Sequence, residues 1–427
     1  MADLQRRWWA GLGAAILLVL AGCAPPPPDP FDNRGPIIFV DGHDTSFGKQ
    51  IEQLVNEWNR RHDYSEKVTF IEMPDATDAH RAQLRAHAQD LAPGDQSEYP
   101  SQCYDVVTMD IIWTAEFAKA GYLVPLDRDE FQVDKFLKRP VEAVTLDGRL
   151  WAIPMRTDAG LLYYRKDLLD AEHTEPPRTW EQLIRQARTI APKYGKDGYV
   201  GQFNRYEGFT VNAMEAIWAK GGDVLSPQGA VIIQSPQAKA GIKMLASGFE
   251  DGWIPRAALT FTEERSREAF QTGSTLFLRN WPYVYQRLSD PKSPVSDKFG
   301  VTTLPGPSAL GGWNLGVSNC STHRQTARNF IKFVTDETNQ RNLFRTAGFA
   351  PAVAALYEDP ELRKQFPYLD VLRRSVENSR NRPATPYYGD VSAAIHEYLA
   401  NALTNPVSTD AMIDSLVEQL TAVTQGR

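Results

Sequence analysis

The chain has 427 residues, of which 42% are hydrophobic and 23% charged, and its net charge is −7. This composition excludes a disordered or fibrous protein, and the acidic balance argues against nucleic acid as a partner. A chain of this length is large enough to bury two hydrophobic cores. We therefore expect a globular protein of two domains that binds no nucleic acid.

The first residues have the layout of a secretory signal. Arg6 and Arg7 precede an apolar run over residues 8–20. This run is shorter than the ~20 apolar residues that a membrane-spanning helix needs, so a cleaved signal is favoured over an uncleaved anchor. We predict that residues 1–22 are a lipoprotein signal peptide and that the protein is exported.

A lipid-attachment motif ends this segment. Leu20-Ala21-Gly22-Cys23 resembles a bacterial lipobox, in which Cys23 receives lipid, although an incidental cysteine is the alternative. The proline-rich stretch that follows cannot join a folded core and would serve as a tether over residues 23–35. The protein would then be held by lipid alone on the outer face of the cytoplasmic membrane.

Two further cysteines remain, Cys103 and Cys320. In an oxidising compartment they are a candidate disulfide, and two unrelated buried thiols are the alternative. They are too few and too far apart for a zinc site. We expect no metal and no cofactor.

Strand and helix signals alternate through the first part of the chain. Strands are predicted at 36–40, 67–71 and 104–109, and helices at 50–58 and 80–91. This alternation predicts a parallel, doubly wound α/β sheet.

Similar units continue beyond residue 151. Strands are predicted at 152–154, 161–164, 274–278, 300–304 and 314–317, and helices at 179–191, 209–220, 235–250, 263–270 and over most of the chain from 325. The pattern Thr179-Trp180-Glu181-Gln182 is typical of a capped helix start. Such units in both halves predict two α/β lobes around a cleft.

Several segments, in this order, resemble the sugar-binding proteins of ABC importers, closest to the trehalose/maltose-binding lipoprotein branch. They are residues 104–118, 152–169, 279–283, 311–314 and 380–383. The resemblance implies a two-lobed periplasmic-binding-protein-like fold, with a doubly wound sheet in each lobe, hinge crossovers and a ligand cleft between the lobes. It places one lobe at 36–155 plus 314–347 and the other at 156–313 plus 348–427.

Candidate ligands follow from sugar chemistry and from this resemblance. A carboxylate accepts hydrogen bonds from two adjacent hydroxyls, and the resemblance implies Asp110 and Asp158 as such ligands, one per lobe. Helix capping or solvation is the commoner fate of an Asp. Aromatic rings stack on the C–H faces of sugars; the candidates are Trp281, Trp313 and Tyr283, with ordinary core packing as the alternative.

Further candidates rest mainly on the resemblance. They are Gly312, where the backbone could approach a sugar closely, Arg382, Glu207, Tyr206, Arg81 and the first-loop residues Asp44, Thr45 and Ser46. Arg156 departs from the trehalose/maltose branch, which has an aromatic residue there. A charged donor at this position could select a more polar ligand, including a phosphorylated or acidic sugar.

The expected function is capture of a disaccharide or short oligosaccharide, such as trehalose or maltose, for delivery to the transmembrane permease subunits of an ABC importer. We expect a monomer without enzymatic activity. Two alternatives remain: a sugar-sensing lipoprotein that partners a membrane receptor, and a glycoside-active enzyme, because paired acids with aromatics also describe glycoside hydrolases.

Overall fold

The computed structural model describes residues 30–44, 46, 48–74, 77–91, 102–404 and 409–425. The predicted signal peptide, Cys23 and Thr45 lie outside these residues. The strands are β1 Ile37–Gly42, β2 Val68–Met73, β3 Val106–Asp110, β4 Thr145–Leu146, β5 Arg149–Leu150, β6 Ile153–Ala159, β7 Leu161–Arg165, β8 Asp197–Val200, β9 Thr275–Asn280, β10 Phe299–Thr303 and β11 Leu310–Val317.

Some of the helices are short connections between other elements, and others are longer and cover the sheets. They are α1 Gln50–Arg61, α2 Thr77–Asp90, α3 Thr114–Lys119, α4 Lys138–Ala143, α5 Lys166–Ala171, α6 Trp180–Thr189, α7 Glu207–Ala219, α8 Pro236–Glu250, α9 Glu263–Gln271, α10 Val284–Leu288, α11 Arg324–Val334, α12 Glu337–Ala347, α13 Pro360–Gln365, α14 Leu369–Glu377, α15 Tyr388–Thr404 and α16 Thr409–Thr424.

The first sheet has the strand order β2-β1-β3-β11-β6. Strand β1 pairs in parallel with β2 and β3, as the alternation of elements predicts. Strand β11, however, runs antiparallel to both β3 and β6. The first sheet is therefore mixed, because a strand returns from much later in the chain, and a local pattern of alternating elements carries no information about such a return.

The second sheet has the order β10-β7-β9-β8, and in it β8 and β9 are parallel while β7 runs antiparallel to β9 and β10. All six residues of β9 are buried. Helix α7 is buried from its first residue to Trp218, which is the pattern of a helix inside a core rather than on a surface. It packs between the second sheet and helices α8 and α15.

Two strands are longer than their sequence signals predict. Strand β6 extends from the predicted end at 154 to Ala159, and β11 begins at Leu310 instead of 314. Charged and glycine residues weaken the local strand signal, but both segments gain hydrogen-bond partners by pairing with each other across the sheet. Candidate residues at 156, 158, 312 and 313 consequently lie on strands rather than in loops.

The predicted start of one helix and the candidate disulfide are both found in the structure. Helix α6 begins with a full capping box, in which Thr179 and Gln182 each bond the other's backbone N–H. Cys103 and Cys320 are joined by a disulfide, with their Cα atoms 5.9 Å apart. None of the helices in the described ranges combines the length and apolar character of a membrane span.

Candidate ligand-binding site

Three candidate side chains lie in one row across the first sheet. In the strand register Trp313 on β11 is the partner of Asp110 on β3 and of Arg156 on β6. Cross-strand partners present their side chains on the same face of a sheet. A carboxylate, an indole and a guanidinium thus form adjacent parts of one surface, at the carboxyl end of β3.

Arg156 contacts aromatic rings and a buried acid. Its guanidinium carbon lies 5.2 Å from the ring centroid of Trp313 and 4.5 Å from that of Phe349. Its Nη2 is 3.4 Å from Oδ1 of Asp41, the carboxylate of β1 that is only 1% exposed. Burial raises the pKa of Asp41, and the nearby Arg156 opposes that rise.

Trp313 is supported from within the first lobe. The imidazole of His80 stacks on it at 5.5 Å between ring centroids, and Trp113 meets it edge-on at 5.7 Å. Burial lowers the pKa of His80 to about 4, so this ring is neutral at physiological pH. The indole is therefore part of an aromatic cluster, and its position is fixed before any ligand arrives.

The side chains of Asp158 and Trp281 both lie against Gly311. A Cβ added at Gly311, the register partner of Asp158, would lie 3.2 Å from Cβ of Asp158 and 3.1 Å from Cζ3 of Trp281. Asp158 is partly exposed, and no other described residue donates a hydrogen bond to its carboxylate. Burial raises its pKa to about 6, and Arg156 partly offsets this effect. This acid thus has free acceptor capacity beside an aromatic ring.

Trp281 in turn rests on a buried ion pair. The guanidinium of Arg279 lies 4.0 Å from its ring centroid. Arg279 donates to both carboxylate oxygens of Glu215 on α7, at 2.8 and 2.6 Å. This fork fixes the residue that supports the indole, because a two-point guanidinium–carboxylate contact allows little rotation.

Arg382 joins the first sheet to the helices over the second. Its Nη1 donates to Oε1 of Glu207 at 2.6 Å, and its Nη2 donates to Oδ1 of Asp110 at 3.2 Å. Glu207 also accepts from the hydroxyls of Tyr388 and Ser392. Burial raises the pKa of Asp110, and Arg382 counteracts this effect. Arg382 and Glu207 thus hold one another and Asp110 in place.

The remaining candidates occupy the margins of this arrangement. Tyr206 donates to Glu263 at 2.6 Å and Tyr283 donates to Glu264 at 2.7 Å, so both phenols contact the start of α9. Arg81 donates to Glu116 at 2.7 Å. Their role as ligands stays a prediction.

In the first loop, side chains cap a helix. The two carboxylate oxygens of Asp44 accept the backbone N–H groups of Ser46 and Ile51, at 2.9 and 2.8 Å. The hydroxyl of Ser46 accepts the N–H of Gln50 at 2.9 Å. These contacts hold the start of α1 and occupy both side chains.

The backbone conformation at position 312 requires a glycine. Its φ is +133°, and an added Cβ would lie 2.5 Å from the carbonyl oxygen of Arg156. Only glycine adopts this conformation without strain. The residue allows β11 to approach β6 closely beside Trp313.

Sequence reasoning missed the residues that support the site. Asp41 was discoverable, because it ends an apolar strand as Asp110 does. Phe349 and the Arg279–Glu215 pair had no such signal, since their partners lie far away in the chain. In the described residues no cluster of His, Cys, Asp or Glu is arranged to hold a metal ion.

Comparisons with known proteins agree with this architecture. Residues 42–341 match the family described as bacterial extracellular solute-binding protein. A probable ABC transporter-binding protein of Deinococcus radiodurans is 31% identical over 378 residues, which cover 83% of this chain and 86% of the relative. The structure described as maltose-bound T. maritima MalE3 has a TM-score of 0.82 and 33% identity, over 90% of this chain and 99% of that one.

A more distant structure shares the fold. The GacH receptor of Streptomyces glaucescens, solved without ligand and with acarbose, has a TM-score of 0.77 and 19% identity, over 92% of this chain and 98% of its own. The fold shared with these structures is a two-lobed α/β architecture. The chain belongs to the bacterial extracellular solute-binding proteins and has their two-lobed α/β fold.

Proposed function

We propose that the protein binds a neutral disaccharide, of the maltose or trehalose class, in the cleft between its lobes and delivers it to the permease of an ABC importer. The observation that carries the proposal is that Asp158 and the ring of Trp281 both lie against Gly311. An acid with free acceptor capacity beside an aromatic ring matches a pyranose, which has donor hydroxyls at its edge and an apolar C–H face.

The ligand class of similar proteins supports the proposal. The structure with 33% identity is described as maltose-bound, and the Deinococcus relative is described as an ABC transporter-binding protein. A second carboxylate, that of Asp110 on β3 of the same sheet as Asp158, accepts a hydrogen bond from Arg382 at 3.2 Å. Closure would bend the chain near residues 155, 313 and 348, between lobes of residues 36–155 with 314–347 and 156–313 with 348–427.

The proposal includes attachment to the membrane through lipid on Cys23 and action as a monomer. Fractionation of cells that express the full chain tests the anchor. The wild type is expected in the membrane fraction, and Cys23→Ser is expected in the soluble exported fraction. Equal distribution of the two would contradict lipid anchoring without affecting the binding proposal.

Ligand binding is tested by calorimetry on the protein from residue 24 onward. The panel contains trehalose, maltose, sucrose, maltotriose and sugar phosphates. Binding of one neutral disaccharide is expected, together with a rise in melting temperature, because a ligand that binds only the native state stabilises it. Release of free monosaccharide during the titration would instead establish a glycoside-active enzyme. No response to any neutral sugar would refute the proposed ligand class.

A further inference from the structure

The guanidinium of Arg156 has donors to spare. Its side chain is 13% exposed, and Asp41 is the one described residue that accepts a hydrogen bond from it, at 3.4 Å. The rings of Trp313 and Phe349 restrict its movement. A guanidinium held in this way, with a planar fork of N–H groups, is chemically suited to carboxylate or phosphate groups as well as to hydroxyls.

Neighbouring charges decide between these ligand classes. Arg382 is paired with Asp110 and Glu207, and Arg279 is paired with Glu215. Neither of these two arginines is therefore an uncompensated cation. Among these three arginines Arg156 has the longest contact with an acid, 3.4 Å to Asp41, and its charge is opposed by that carboxylate.

Asp41 is too deeply buried for water to replace Arg156 as the partner of its charge. It is 1% exposed, and apart from Arg156 its Oδ1 accepts the N–H of Gly42 at 2.8 Å. A buried carboxylate beside a guanidinium cancels most of the field that the guanidinium would project. Asp158, which lies two residues from Arg156 on the same strand and on the same face, adds further negative charge.

We propose that Asp41 determines the charge of the ligand that the cleft accepts, and that it does so without contacting the ligand. By compensating Arg156 it makes that guanidinium a donor to hydroxyl groups and excludes sugars that carry a carboxylate or phosphate there. This inference rests on the proposed function, because it names the charge class of the same ligand. Asp41 acts through Arg156 and is a positioning and specificity-determining residue.

The test compares neutral and anionic forms of one sugar on the protein from residue 24 onward. The probes are maltose with maltose 6′-phosphate and trehalose with trehalose 6-phosphate, in which both pyranose rings stay closed. The wild type is expected to bind the better neutral sugar at least tenfold more tightly than its anionic counterpart. In Asp41→Asn the ratio of the affinity for the anionic probe to the affinity for the neutral sugar is expected to rise at least tenfold.

Two further variants separate charge from structure. Asp41→Asn combined with Arg156→Gln removes both charges, and the gain for the anionic probe is expected to vanish. Asp105→Asn is the matched control, since Asp105 is also a buried carboxylate of the first lobe, but it bonds Ile38 and Ser321 instead of Arg156. The ratio of the two affinities should be unchanged in this control.

The possible outcomes are distinguishable. Equal affinity of the wild type for neutral and anionic probes, or an unchanged ratio in folded Asp41→Asn, overturns the inference and leaves the proposed function standing. If Asp41→Asn fails to fold, Arg156→Gln decides: it should weaken any residual binding of the anionic probe more than binding of the neutral sugar, and an equal loss overturns the inference. Failure of the wild type to bind either neutral sugar overturns the proposed function and the inference together.

Discussion

Arg382 and Glu207 form a buried ion pair 2.6 Å long that connects the segment after α14 to the first residue of α7. The same guanidinium reaches Asp110 on the other side of the cleft, and its side chain is only 2% exposed. Two carboxylates from different layers of the molecule therefore depend on one cation. The geometry at the base of the cleft follows from this dependence.

Replacing Arg382 by Gln should lower the free energy of unfolding by about 3 kcal/mol or more, because it leaves two buried carboxylates without compensation. Denaturant titration measures the loss. The double variant Arg382→Gln with Glu207→Gln is expected to recover part of it, since one of the two orphaned charges is then absent. A double variant less stable than the single one would contradict the proposed dependence.

Replacing Trp281 by Ala should weaken disaccharide binding about thirtyfold or more, which corresponds to a loss of about 2 kcal/mol of binding free energy, because a rigid stacking surface is removed. Isothermal calorimetry gives the affinity. The control is Trp151→Ala, which removes a partly buried tryptophan of the first lobe whose indole N–H bonds the carbonyl of Leu146. An equal loss of affinity in both variants would show that stacking is not the cause.

Sugar affinity should depend on pH through Asp158. Its pKa is about 6, raised by burial and by Asp110 and opposed by Arg156 and Arg279. Hydroxyl groups that donate to the carboxylate stabilise its ionised form and lower the pKa in the complex. Binding is then favoured when the acid is ionised, so the association constant should be level above pH 6 and fall below it, by at most about tenfold per pH unit.

Calorimetry between pH 4.5 and 8 checks this sign. In Asp158→Asn the affinity should be lower overall and lose this dependence. A wild-type affinity that stays constant from pH 5 to pH 8 would exclude Asp158 as an acceptor for the ligand.

Removing the disulfide should affect stability and not affinity. Cys103 precedes β3 and Cys320 follows β11, so the bond lies at the end of these paired strands opposite Asp110 and Trp313. The loop that it closes is long, and Cys103→Ser with Cys320→Ser is expected to lose up to about 5 kcal/mol of unfolding free energy. Denaturant titration and sugar calorimetry on the same samples measure both quantities. A large loss of sugar affinity in the folded variant would show that the disulfide and the sugar site are not independent.

Sequence reasoning succeeded where signals are local. Strand β1, helix α1 and the capping box of α6 follow from apolar spacing and from a four-residue motif. The resemblance of five segments supplied the two-lobed fold, which the family match confirms. The structure also brings Asp110, Arg156 and Trp313 into one row, although they come from three distant segments.

The failures share a physical cause. Gly311 and Gly312 lack the side chains that indicate a strand, yet they complete β11 because they pair with β6, whose backbone approaches Gly312 too closely for a side chain. The sequence did not show that Asp44 accepts two N–H groups at the start of α1. For Arg382 it allowed donation to sugar hydroxyls or to a carboxylate that holds one, and the structure shows donation to Glu207 and Asp110. The role of both residues as ligands stays a prediction. In each case the group that the residue contacts is either distant in the chain or part of the backbone. The residue type alone predicts neither kind of contact.

The position of β11 between β3 and β6 has a consequence for how the polypeptide reaches its native state. The middle of the first sheet is supplied by residues 310–317, which are synthesised after every strand of the second sheet. The N-terminal segment alone leaves the facing edges of β3 and β6 unpaired. Pairings over such long chain separations form slowly. The first sheet therefore cannot be completed until most of the polypeptide has been synthesised.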